Sequence, residues 1–307
     1  MPAIDGSTHV LADITGTDGP DDLTGTQNDD TISGLGGSDT IHGGAGNDLL
    51  DGGSDGDLLF GGNGNDTLVG GDGQDFLHAG HGADSLDGGN GDDILFAGRG
   101  NDTIDGGAGH DSLRFSDEGG KGLVVDLQAG TASTVHGSYQ LSSIEDVSAG
   151  DFSSSLTGDG QDNALVGSAQ ADTLIGGAGN DSLGGGGGRD VLTGGAGADH
   201  MMGGAKGDTF VFTDVSDSTV AASDRISGLD AKDVFDLSGI DADTTQDGDQ
   251  AFTRVHGFDG HAGELWLHFD HDSGDTFLDA DVDGDGQADF RVTILGNLTF
   301  HPHHYVL

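Results

Sequence analysis

The sequence predicts an all-β solenoid, and three observations carry that prediction. A nine-residue period runs in unbroken register from Gly16 to Arg114 through eleven consecutive units. Each unit joins a glycine-rich hexad ending in Asp to a tripeptide whose central residue is aliphatic. The same register returns from Gly158 to Val211 in six further units. Self-similarity at a short fixed period marks stacked repeats, because one unit alone cannot bury its apolar face. Two copies, Gly43-Gly44-Ala45-Gly46-Asn47-Asp48-Leu49-Leu50-Asp51 and Gly61-Gly62-Asn63-Gly64-Asn65-Asp66-Thr67-Leu68-Val69, match G-G-x-G-x-D-x-U-x at every fixed position.

The hexad carboxylate recurs at Asp21, Asp30, Asp39, Asp48, Asp57, Asp66, Asp75, Asp84, Asp93, Asp102 and Asp111. The aliphatic follows two positions later, from Leu23, Ile32 and Ile41 through to Leu113. Units of this kind are built around calcium. The pattern resembles the RTX (repeats-in-toxin) family of calcium-binding proteins. That resemblance implies a right-handed parallel β-roll in which each hexad is a turn and each tripeptide a short strand. Two units then make one coil, and the Asp residues alternate between two edges. Coils stacked about 4.8 Å apart would let carboxylates eighteen residues apart share an ion with loop carbonyls. Calcium suits such a shell, since it takes roughly 6 to 8 oxygens in flexible geometry. With each ion between turns n and n+2, the first block provides nine sites and the second four.

Energetics assign the ion a structural role. A buried Leu contributes roughly 1.5 to 3 kcal/mol, whereas ordering backbone costs about 1 to 2 kcal/mol per residue. One aliphatic per nine residues does not cover that cost, and the 62 glycines deepen it. The Asp rows also repel themselves until cations neutralise them. Metal binding is therefore expected to supply the folding free energy.

Composition narrows the partners. A net charge of −46, from 55 acidic and 9 basic residues, excludes nucleic acid as a direct partner and disfavours anionic membranes. With no Cys, neither disulfides nor thiolate metal sites can form. The N-terminus shows no basic and apolar leader, and no segment approaches a transmembrane span. Extracellular calcium modules work at about 10⁻⁴ to 10⁻³ M, so the expected location is outside the cell. The RTX resemblance implies export by a type I secretion machinery that reads an uncleaved C-terminal signal.

Along the chain, residues 1 to 15, with Val10, Leu11 and Ile14, are expected to cap the roll block of residues 16 to 114. Residues 115 to 157 break the period with strand-patterned segments, and Ser154 stands where a degenerate unit would place its Asp, so no full calcium site is expected there. The second block, residues 158 to 211, places Asp172, Asp181, Asp190, Asp199 and Asp208 in the metal position, with Asn163 in the first unit as the weakest site. Residues 212 to 307 form a β-rich secretion region. From Gly207 the chain resembles the C-terminal part of serralysin-type metalloproteases. The matching residues are Gly207-Asp208-Thr209-Phe210-Val211-Phe212, Asp236-Leu237-Ser238-Gly239-Ile240-Asp241-Ala242, Gly248-Asp249-Gln250-Ala251-Phe252, Ala262-Gly263-Glu264-Leu265 and the segment around Asp281 to Phe290. In those enzymes this region is non-catalytic. Within it, Asp281, Asp283, Asp285 and Asp289 make a D-x-D-x-D-G-x-x-D loop able to curl around one hard cation.

No H-E-x-x-H zinc dyad and no G-x-S-x-G elbow occurs. The His clusters His268–His271 and His301–His304 lack the helical placement a zinc enzyme needs. Tripeptide positions seven and nine should face outward, which puts Leu58, Phe60, Phe76, Ile94 and Phe96 on one face as a candidate contact surface. Packing of the insert or C-terminal region over that face is the favoured reading, ahead of a surface or matrix partner. The function expected is a secreted, non-catalytic calcium-binding protein. The alternative is a non-catalytic module of an extracellular serralysin-type protease or alginate-modifying system.

Overall fold

A computed structural model of the chain describes residues 12–115, 121–246, 250–296 and 305–306. Two of the residues assigned to the N-terminal cap, Val10 and Leu11, and the tail histidines His301, His303 and His304 lie outside these. The chain divides into two compact units, one of Met1–Asp117 with Ala129–Ser148, the other of Glu118–Gln128 with Ala149–Leu307. Among the described residues the regular structure is β-strand, apart from a single 3-10 turn at Val215–Asp217.

In the first unit successive strands alternate between two parallel sheets. Thr31–Gly36, Leu49–Ser54, Thr67–Asp72, Ser85–Asn90 and Thr103–Ala108 stack in one, and Thr40–Ala45, Leu58–Asn63, Phe76–His81 and Ile94–Phe96 in the other. The register advances by one coil at each step, as in Ile32↔Leu50, Leu50↔Leu68 and Ile41↔Leu59. The aliphatic of each tripeptide points inward and is fully buried, from Ile32 to Leu113, while its neighbours flank it outward.

Most interior strands are six residues long rather than three. They run on through the first three hexad positions, which pair across coils as Gly44↔Gly62 and Ala45↔Asn63. This leaves the turn proper to the last three. Position two pays for the extension with a left-handed backbone, φ +113 at Gly71, and a Cβ there would lie 2.0 Å from the carbonyl oxygen of Gly53. Glycine is needed at such a position both for φ and for space.

Residues 129–148 of the insert continue the first unit, while residues 118–128 and 149–157 belong to the second. Gly137–Ser142 adds to the sheet in parallel, Ile104↔Leu141, and Thr131–Thr134 folds back on it in an antiparallel pair. Asp146–Ser148 extends the other sheet beside Ser112–Arg114. Tyr139 is buried, meets Phe115 edge-on at 5.4 Å and donates its hydroxyl to the Gly98 carbonyl at 3.2 Å.

The second unit repeats the architecture. Ser153–Thr157, Thr173–Ala178, Val191–Ala196, Thr209–Val211 and Val234–Asp236 form one parallel ladder. Ala164–Val166, Ser182–Gly187, His200–Ala205 and Asp224–Ile226 form the other, extended by Phe290–Ile294. That sheet then turns antiparallel through Thr276–Asp281 and Glu264–Phe269. Larger side chains close the core here, with Phe210 against Phe235 and Phe212 edge-on to Phe290.

Leu35 occupies position two with φ +78, a left-handed conformation imposed on a half-exposed leucine. Such strain costs about 1 to 3 kcal/mol. Leu35→Gly is therefore expected to raise the calcium-saturated melting temperature, and Gly71→Ala to lower it by at least as much. Thermal unfolding followed by circular dichroism checks both signs.

Candidate metal centre

Stacking the hexads brings the repeat carboxylates into two interior rows. From Asp30 to Asp111 each is no more than 3% exposed. One oxygen of each is already committed, because Oδ1 accepts the backbone amide of the residue one coil earlier. On one edge Asp30, Asp48, Asp66 and Asp84 donate to Asp48, Asp66, Asp84 and Asp102 at 2.8 to 2.9 Å. On the other, Asp39, Asp57, Asp75 and Asp93 donate to Asp57, Asp75, Asp93 and Asp111 at 2.7 to 2.8 Å. The repeat is thus a ladder in which each coil caps the one before it, a role that periodicity alone does not reveal.

The second oxygen is the chemically open one. Oδ2 is buried without a hydrogen-bond partner at Asp39, Asp48, Asp57, Asp66, Asp75, Asp84, Asp93, Asp102 and Asp111, and again at Asp181, Asp190, Asp199 and Asp208. A buried polar atom left unsatisfied costs about 1 to 3 kcal/mol, and more when charged. Backbone oxygens lie close by: a Cβ built on Gly52 would sit 2.4 Å from Asp57 Oδ2 and 2.7 Å from the Gly70 carbonyl oxygen. Buried, unpartnered carboxylate oxygens beside carbonyls are the donor set a hard divalent cation takes. Asp21, Asp30 and Asp172 differ, because Thr17, Thr26 and Ser168 donate their amides to Oδ2.

Three rungs, at Glu145, Asp224 and Asp233, were not legible in the nine-residue register, and a fourth at Ser154 keeps the register without a carboxylate. Glu145 accepts the Asp111 amide at 2.9 Å, and Ser154 bonds Asp172 Oδ1 through both amide and hydroxyl. Beyond the second block, Asp224 and Asp233 accept the amides of Asp199 and Asp208 at 2.9 Å, at a spacing of twenty-five residues rather than eighteen. Asp224 is fully buried, and its Oδ2 also lacks a partner. The longer spacing hides these rungs from any search at fixed period.

Burial, reinforced by the neighbouring carboxylates, pushes the row carboxyls up. Asp57, Asp66, Asp111 and Asp190 rise to about 6, Asp75, Asp102 and Asp181 to about 7, and Asp224 to about 8. Asp30 goes the other way. Burial pushes it up, but the bonds from Thr26 and Ala12 outweigh that and hold it below 3.8.

In the C-terminal loop, Asp281, Asp283 and Asp285 bring one carboxylate oxygen each within 4.8 Å of one another. Asp281 is buried and anchors the loop by accepting the amides of Gly284 and Gly286 at 2.7 and 2.8 Å. Asp289 is outside that trio and accepts the Val282 amide at 2.9 Å. A second trio that the sequence did not single out, Asp259, His261 and Glu264, is similarly close. On the outer face of the first unit Leu58 is exposed, and Phe60, Phe76, Ile94 and Phe96 are half-buried. The rings contact one another, Phe60 stacked on His42 at 4.7 Å and Phe76 tilted against Phe96 at 5.0 Å. The insert strand Gly137–Ser142 joins the opposite sheet, so it does not cover this face.

With this geometry in hand, the relatives fall into place. The family described as Peptidase M10 serralysin C terminal matches residues 106–305, well over half of the chain. The chain belongs to this family. The RTX calcium-binding nonapeptide repeat, in four copies, matches residues 15–50, 51–86 and 78–113, and these repeats bind calcium. Metalloprotease AprA of Pseudomonas entomophila is 43% identical over 89 residues, which is 29% of this chain and 18% of that protein. The chain therefore spans under a fifth of that relative's length. Among solved structures, the AlgE6R3 subunit of the Azotobacter vinelandii mannuronan C5-epimerase is 28% identical with a TM-score of 0.36, covering 49% of this chain and 78% of that one. The extracellular lipase LipA from Serratia marcescens is 19% identical with a TM-score of 0.32, over 88% of this chain and 45% of its own.

The raised carboxyls fix the sign of a pH effect in the metal-free protein. Their folded pKa values lie above the 3.8 of the free side chain, so the folded form binds more protons between about pH 4 and 7. Metal-free stability is then highest at low pH and is lost as pH rises through that window. In chelator, β signal should increase on acidification from about pH 8 to 5. Greater order at the higher pH would contradict the assignment. Protons compete with calcium for the same oxygens, so the half-saturating calcium concentration should rise over the same descent.

Proposed function

We propose that this is a secreted, non-catalytic protein that stays expanded where calcium is scarce and folds on binding it outside the cell. The observation that carries this reading is the set of thirteen repeat carboxylates with a buried, unpartnered Oδ2. They are Asp39 to Asp111 in the first unit and Asp181 to Asp208 in the second, and they would hold the ions together with backbone carbonyls. The number equals the nine and four expected from sharing each ion between alternate turns. Asp281, Asp283 and Asp285 would hold a separate ion. When bound, calcium supplies positive charge to rows that otherwise repel themselves. The chain's own part is to pre-align one oxygen of each carboxylate through the amide ladder.

Type I export fits both matched families and a fold whose open carboxylates call for extracellular calcium at neutral pH. The sequence holds no zinc dyad, so catalysis would have to come from elsewhere. The serralysin C-terminal match also supports a second reading, in which the chain serves as the non-catalytic module of a secreted protease system.

Circular dichroism during a calcium titration tests the leading reading. The chelated protein at neutral pH should show a coil spectrum and gain β signal cooperatively toward the millimolar range. A β spectrum unchanged by chelator at that pH would overturn it. Purified protein is also expected to leave casein intact in the presence of both zinc and calcium.

A further inference from the structure

Position two of the hexad sorts the repeat carboxylates into two kinds. In all thirteen turns whose Asp Oδ2 is buried without a partner, the residue at position two has positive φ, from +70 at Gly98 to +116 at Gly177. Leu35 belongs to this set at +78, so backbone conformation rather than the identity of the side chain is what the turns share. In these turns the position-two amide makes no bond to the carboxylate four residues on.

Where position two is Thr17, Thr26 or Ser168, φ is not in the left-handed range, and the amide donates to Oδ2 of Asp21, Asp30 or Asp172 at 2.6, 2.5 and 2.7 Å. The hydroxyl adds a second bond, from Thr17 to Asp21 Oδ2 at 3.0 Å and from Ser168 to Asp172 Oδ2 at 3.1 Å. Thr213 repeats the arrangement on Asp217, outside the nine-residue register, with its amide at 2.6 Å and its hydroxyl at 3.0 Å. The Asp159 amide does the same for Asn163 at 2.9 Å.

We infer that these turns cap themselves and take no calcium, so that position two decides which repeats are metal sites. This rests on the reading that the unpartnered oxygens hold calcium. The physical reason is competition for one oxygen. A cation needs its lone pairs and the space in front of them, and in a capped turn that space holds the amide hydrogen, joined at Asp21, Asp172 and Asp217 by a hydroxyl hydrogen, each carrying partial positive charge. Occupancy would require expelling these donors from the oxygen. The caps fill the first two turns of each repeat block.

The rule reads directly from sequence. A hexad beginning Gly-Gly, or forced left-handed at its second residue, is a site. One beginning Gly-Thr or Gly-Ser, as at Gly16-Thr17, Gly25-Thr26 and Gly167-Ser168, is a self-closed turn.

Anomalous scattering from crystals of the full chain grown in calcium tests the inference directly. Ions are expected at Oδ2 of the interior turns, such as Asp66 and Asp190, with none at Oδ2 of Asp21, Asp30, Asp172 or Asp217. An ion on any of those four overturns it. Absence of ions from the interior turns as well would instead defeat the calcium reading itself. The substitutions Thr26→Gly and Ser168→Gly free position two, and each should add one ion per chain at saturation by equilibrium dialysis. Thr26→Val, which keeps the amide cap, should add none. An unchanged count in both glycine variants, with the β spectrum retained, would show that position two is not the switch.

Discussion

A carboxylate with one oxygen tied and the other left open is the element on which the structure depends. The tie is the bond from each coil's amide to the Asp of the next, which fixes the side chain inside the turn. The open oxygen is buried and carries charge that protein atoms do not answer. A turn built this way is unstable on its own account, and it recurs at every interior coil. The apolar contribution, one aliphatic per nine residues, is too small to offset it. On the proposed reading, calcium binding and folding are one equilibrium.

Glycine serves that equilibrium in a specific way. At position two it takes a left-handed conformation in close contact with the preceding coil, and this withholds the amide that would otherwise satisfy the Asp. Leucine at position 35 adopts the same conformation at a cost in strain, which shows that the stack enforces it. Thr or Ser at that position releases the constraint, and the turn becomes self-sufficient. Local backbone geometry thus sets which carboxylate oxygens are capped and which stay open, and the same geometry separates the lowered Asp30 from the raised Asp66 and Asp75.

The units end in different chemistry from their interiors. In the second unit, aromatic pairs and an antiparallel extension replace the aliphatic column, so large side chains provide the burial that glycine-rich coils do not. Arg291 forms a two-pronged pair with the buried Asp279, which His268 also contacts. Such a region is expected to be less dependent on calcium than the rows, apart from the loop at Asp281, Asp283 and Asp285.

The sequence by itself determined the solenoid, the inward aliphatic column from Ile32 to Leu113, and the Asp residues at the turns. These follow from a strict period, because a repeated local pattern can only stack in register with itself. Only the tertiary structure decided what each carboxylate oxygen does. The amide bonded to Asp66 belongs to Asp48, eighteen residues away, and Asp224 enters the row across a gap of twenty-five. The place of insert residues 129–148 as a continuation of the first unit was hidden for the same reason, since Leu141 meets Ile104 over thirty-seven residues. Periodicity reports the contacts that repeat. Partners at irregular separation, and the choice between a capped and an open oxygen, are set by the backbone path of neighbouring coils, which no single unit encodes.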